Sequence, residues 1–112
     1  MENIERIIVI PEGWTGKLLK QIMEARICLV SCAKNQRKIG YKELACACPS
    51  INDNAWHYQI GKILGHLSEI EEYPHELNSL VRHASDGKVG KGWTGGDEDP
   101  EIYTQRAFNR YK

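Results

Sequence analysis

The sequence predicts an α+β fold that is mostly helical, with one β-hairpin in its C-terminal third. Three observations predict it. Apolar residues recur at helical spacing through two long stretches, from about 15 to 35 and from about 54 to 71. Pro11, Pro49, Pro74 and Pro100 with clustered glycines punctuate the chain between those stretches. Ser85-Asp86-Gly87 is a tight-turn signal, because glycine after aspartate tolerates the positive φ that such turns require.

Residues 4–10, Ile-Glu-Arg-Ile-Ile-Val-Ile, are β-branched and apolar, and read as a strand or as an arm that docks on the core. Pro11, Gly13 and Gly16 end that segment. Thr15 is the N-cap candidate of the first long helix, whose stripe is Leu18, Ile22, Ala25, Leu29 and Cys32, at steps of four, three, four and three. Lys34, Arg37 and Lys38 at its exit suit the negative end of the helix dipole. Gly40 breaks the run. Tyr41–Ala47 is a short helical segment stopped by Pro49, and the turn at 50–54 offers Ser50 or Asp53 as cap for the next helix. That helix, from about Asn54 to Glu71, turns Trp56, Ile60, Ile63, Leu64, Leu67 and Ile70 inward. Gly61 and Gly65, one turn apart, allow something to approach it closely. Asn78–His83 is expected as a strand, Asp86-Gly87 as the turn and Lys88–Trp93 as the return. Asp99 as N-cap and Pro100 at the first helical position open the last helix. Two helices joined by a turn and followed by a hairpin make a winged helix-turn-helix pattern, in which the second helix enters the major groove and the hairpin flanks it. The expected organisation is one domain: an arm at 1–13, a long helix at 14–37, a winged-helix core at 38–96 and a C-terminal helix at 97–112.

A length of 112 residues fits one core. No stretch approaches the apolar length that spans a bilayer, and Met1–Arg6 is not a basic segment leading into an apolar one. A soluble, cytoplasmic protein is therefore expected. The four cysteines, Cys28, Cys32, Cys46 and Cys48, have spacings that are not those of a zinc finger, and reduced thiols are the expectation. His57, His66, His75 and His83 show no shared ligand spacing, so neither metal nor cofactor is expected. Net charge is zero, but the charges are segregated. From Trp14 to Lys42 there are seven Lys/Arg against one acid, whereas Glu69, Glu71, Glu72, Glu76 and Asp97–Glu101 form acidic runs. One basic face is compatible with that balance, as are simply solvated helix surfaces. The tetrapeptide Gly-Trp-Thr-Gly occurs at 13–16 and again at 92–95, between unlike neighbours and without phosphate-loop spacing.

Lys38-Ile39-Gly40-Tyr41-Lys42-Glu43-Leu44-Ala45, then Ala55-Trp56-His57-Tyr58-Gln59-Ile60-Gly61, then Leu77–Val81 with Asp86–Gly90, follow one another in an order and spacing that resembles the DNA-binding domain of the O6-alkylguanine-DNA alkyltransferases and alkyltransferase-like proteins. The likeness covers about half the chain. It implies a winged-helix fold that binds duplex DNA, with Tyr41 near the DNA backbone and Tyr58 where the family carries the residue that fills the space of a flipped base. It departs at the chemistry. Alkyl transfer needs a thiolate beside a histidine, and Asn78 followed by Ser79 stands where those residues are found, so no enzyme activity is expected.

The candidate nucleic-acid contacts are Tyr41 through its hydroxyl; Asn54, His57, Tyr58 and Lys62 as a reading face; and Arg82, Lys88 and Lys91 on the wing, where placed positive charge suffices for phosphate contact. Each has an ordinary alternative: packing for Tyr41, a solvated helix face for the second group, solubility for the third. The competing function is a protein-interaction module on the same fold, meeting its partner through Trp14 or Trp93, with the zero net charge and the acidic runs in its favour.

Overall fold

A computed structural model describes residues 13–51, 56–90 and 92–112. The expected strand or arm at 4–10, the Asp53 cap, Asn54 and Lys91 lie outside these residues. The described elements are helix α1 (Gly16–Lys34), strand β1 (Ile39–Gly40), helix α2 (Tyr41–Cys46), helix α3 (Trp56–Ile70), a 3-10 turn (Asn78–Leu80), strand β2 (Val81–Arg82) and helix α4 (Pro100–Arg110).

The local signals that start and stop the helices act as expected. Thr15 caps α1, its Oγ1 accepting the Leu18 amide at 3.1 Å. Asp99 caps α4, its Oδ1 accepting the Glu101 amide at 3.0 Å, with Pro100 at the first helical position. The residues whose amides Ser50 would cap lie outside the described ones. The Ser50 hydroxyl and amide donate to the two carboxylate oxygens of Glu24 at 3.0 and 2.9 Å, and its carbonyl accepts from Gln21. The connection between α2 and α3 is thereby tied to α1.

Ile22, Ala25 and Leu29 of α1 pack with Ile60, Ile63, Leu64 and Leu67 of α3 to form the middle of the core, all essentially without solvent exposure. Leu44 and Ala45 of α2, then Leu77, Leu80 and Val81, close one side, and Ala107 of α4 joins them. Burying each large aliphatic side chain contributes roughly 1.5–3 kcal/mol before chain entropy is counted.

The sheet differs from expectation. Val81–Arg82 pairs in parallel with Ile39–Gly40, with Ile39 opposite Val81, so α2 and α3 form the crossover that a parallel pair requires. The segment expected to return as a second hairpin strand forms no strand among the described residues. Instead residues 83–88 make a tight turn: the His83 amide donates to the Lys88 carbonyl at 2.8 Å and the Gly87 amide to the His83 carbonyl at 2.8 Å. Gly87 supplies the positive φ of +73°. Burial explains the choice of partner. Ile39 and Val81 both face the core, whereas Gly87, Gly90 and Gly92 leave the returning chain little to pack. Gly92 comes so close to α3 that a Cβ there would lie 2.7 Å from Leu64 Cβ and 3.0 Å from the Gly61 carbonyl. The close approach foreseen at the α3 glycines thus occurs at Gly61, while Gly65 faces open space.

Several charges, some of them from the two blocks, pair across the fold. Arg26 pairs with Glu71 at 2.7 Å, Arg110 with Glu76 at 2.6 Å and Arg37 with Glu43 at 2.6 Å, and Lys38 and Arg82 share Glu101 at 2.5 and 2.8 Å. No described helix is long and apolar enough to cross a membrane.

Candidate nucleic-acid interface

Strand β1 delivers Tyr41 to the first position of α2, and the tight turn after β2 swings back over it. The Tyr41 hydroxyl accepts the Gly90 amide at 2.6 Å, and its ring lies 4.9 Å from that of His83. Burial pushes the Tyr41 hydroxyl above its ordinary pKa, so it stays protonated at neutral pH. Opposite, the first turn of α3 presents three aromatic residues in succession. Trp56 and His57 meet edge to face at 5.6 Å, and His57 and Tyr58 lie 4.1 Å apart at 40°. Between these two groups is a hollow of about 500 Å³ lined by Tyr41, Trp56, His57, Ile60, His83 and Gly90. An adjoining hollow of about 760 Å³ shares Tyr41, Trp56 and His83 and extends past Lys38, Lys42, Glu43 and Cys46. Both are within the size range of ligand clefts.

The structure brings Tyr41 and His57 together at this cleft. Tyr58 stands beside it, 74% exposed. Lys88 is exposed on the turn, and Lys62 lies exposed one helical turn beyond Tyr58. Lys62 borders a different, smaller hollow, shared with Lys17 and the start of α1. Lys42, Lys62 and Lys88 form no ion pair among the described residues.

Arg82 corrects the expectation of a phosphate-binding wing residue. Its guanidinium is turned inward, and the residue is only 8% exposed. Nε donates to the Ser79 carbonyl at 2.7 Å, Nη1 to the Gly87 carbonyl at 2.9 Å, and Nη2 to Glu101 at 2.8 Å and Thr104 at 3.1 Å. It ties the turn to α4, with four of its five N–H donors bonded within the protein. The reason is its position in β2: Val81 beside it is core, and the carbonyls of Ser79 and Gly87 need donors that backbone pairing does not supply.

Asn78, which stands at the nucleophile's place in the family resemblance, is 2% exposed and donates to the carbonyls of Leu64 and Gly92 at 2.8 and 3.2 Å. Of the four thiols, Cys46 is exposed at the outer hollow. Burial pushes Cys28 up to about 11 and Cys48 up to about 12, and raises Cys32, which suppresses their thiolates.

The tryptophans that a protein partner was expected to meet are both half-buried. Trp14 packs on the core and, edge to face, on His66 at 4.8 Å. Trp93 donates its indole N–H to the Gly96 carbonyl at 3.0 Å and sits among His75 and Tyr103. The repeated tetrapeptide likewise serves two unlike purposes. Thr15 caps a helix, whereas Thr94 hydrogen-bonds His75 Nδ1 at 2.8 Å.

Sequence reasoning assigned Trp56 to the helix core and His83 to a strand, and did not place either at the site. The Trp-His-Tyr run at the start of a helix was the available signal, since three successive rings cannot all face one core. No protein-family model, curated protein or solved structure matches the chain.

Proposed function

We propose that this chain is a nucleic-acid-binding domain without catalysis of its own. It contacts duplex DNA through the start of α3 and the 83–90 turn, in a winged-helix-like arrangement whose wing is reduced to that turn. The observation that carries the reading is the convergence of Tyr41, Trp56, His57 and His83 on one cleft, with Lys42, Lys62 and Lys88, which form no ion pair among the described residues, on the same and neighbouring elements. The resemblance of residues 38–96 to the alkyltransferase DNA-binding domain points the same way. The pairing of Glu71, Glu76 and Glu101 with arginine and lysine also helps, since it removes much of the acidic charge that would repel phosphates. A role without alkyl transfer is supported by Asn78, buried and bonded to backbone carbonyls, and by the suppressed thiolates of Cys28 and Cys48.

The test is a titration into a labelled duplex of mixed sequence at low and at physiological salt. Affinity should fall steeply as salt rises, because phosphate contacts release counterions. The Lys62→Glu, Lys88→Glu double variant should weaken binding to all sequences about equally. No binding at low salt overturns the proposal.

A further inference from the structure

We infer that this surface takes unpaired nucleobases, and binds a single-stranded or unpaired stretch of nucleic acid in preference to a closed duplex. The inference rests on the nucleic-acid reading above and narrows its ligand. A closed duplex is read at base edges and phosphates by protruding polar side chains. The described surface at the start of α3 presents aromatic rings instead. Tyr58 is 74% exposed, with its ring against His57 at 4.1 Å, and His57 in turn meets Trp56. Across the cleft, Tyr41 and His83 form a second ring pair at 4.9 Å and 37°. A ring face is useful to a base only when that base's own face is free, and inside a duplex both faces are covered by neighbours. Aromatic platforms beside placed positive charge are how single strands are held.

Three further features fit. The hollow of about 500 Å³ is lined by the buried core residue Ile60 as well as by the rings, and offers a planar apolar face partial shelter from water. Lys42, Lys62 and Lys88 provide backbone charge on elements around the rings. Gly90 leaves room for the second pair. A Cβ there would lie 2.2 Å from His83 Nε2, so only glycine lets the His83 ring rest against Tyr41 as it does.

The experiment compares labelled oligonucleotides of one sequence by fluorescence anisotropy at one salt concentration: single-stranded DNA, the matching RNA, the closed duplex, and the duplex with a central unpaired bulge. The single strands or the bulged duplex should bind about tenfold or more tightly than the closed duplex. Tyr58→Ala and His57→Ala should each weaken single-strand binding by about tenfold and leave duplex binding within about twofold, whereas Tyr58→Phe should keep it. A preference for DNA or for RNA identifies the source of the bases, and either supports the inference. Closed duplex bound as tightly as single strand, or Tyr58→Phe losing as much as Tyr58→Ala, overturns the inference and leaves the DNA reading standing. No binding to any of the four at low salt, or binding only to peptides in a parallel screen, overturns both. Tyr58 is exposed, so the variants are expected to fold; unchanged helical circular dichroism confirms that the loss is at the surface.

Discussion

The Tyr41 hydroxyl accepts the amide of Gly90 at 2.6 Å, joining the first residue of α2 to a turn 49 residues further along the chain. This bond fixes the turn onto α2 and so holds one wall of the aromatic cleft in place. Tyr41→Phe removes the acceptor and leaves the Gly90 N–H without a partner, at a cost of about 1 kcal/mol in stability. The expected signature is a small drop in melting temperature, with faster hydrogen exchange confined to residues 83–90 and a loss of oligonucleotide affinity. Exchange that rises uniformly through the domain would show that the bond does not locally hold the turn.

Arg82 is the polar hub of the C-terminal half. Arg82→Met keeps much of the side-chain volume but strips donors from the Ser79 and Gly87 carbonyls and from Glu101. A loss of roughly 2–3 kcal/mol is expected, measured by urea denaturation. An exposed wing arginine would cost almost nothing, so a neutral result would contradict the inward placement.

Glu101 makes stability depend on pH. Its carboxyl is held below the usual carboxylate range, first by the hydrogen bond from Lys38 and then by Arg82, against the opposing effect of burial. The stabilisation is therefore complete above the ordinary carboxyl pKa and is lost as pH falls through the lowered one. Glu101 is about half exposed, so solvent screening limits the pair to about 0.5–1 kcal/mol. Glu101→Gln should be less stable than the parent at neutral pH, and the two melting temperatures should converge in acid. A gap that widens in acid would reverse the sign.

The thiols should react in two classes. Cys46 is exposed, whereas Cys28, Cys32 and Cys48 are half-buried or buried and shifted toward the neutral thiol. A thiol reagent at mildly alkaline pH should modify Cys46 quickly and the other three only on unfolding. Mass mapping checks the site, and rapid labelling of Cys48 would contradict its burial.

The cap of α1 offers a purely local test. Thr15→Ala leaves the Leu18 amide without its side-chain acceptor and should cost about 1 kcal/mol, whereas Thr15→Ser should be nearly neutral. Equal losses would mean that the methyl group, not the hydroxyl, carries the contribution.

The sequence by itself determined the helices. The stripe at Ile22, Ala25 and Leu29, the caps at Thr15 and Asp99, and Pro100 at the start of α4 all act through contacts within a few residues, so spacing along the chain was enough to find them. It also marked the Asp86-Gly87 turn, because positive φ is a local requirement. Only the tertiary structure decided which strand β2 would pair with, that Arg82 would turn inward, and that Tyr41, Trp56 and His83 would line one cleft. Each of those outcomes depends on groups far apart in sequence. Ile39 competes with a glycine-rich return for Val81, Glu101 and the Gly87 carbonyl compete with solvent for the guanidinium, and the Gly90 amide draws the turn onto α2. Non-local competition of this kind leaves no periodic trace in the chain, because its result is set by burial and by which backbone groups still need a partner once the core has formed.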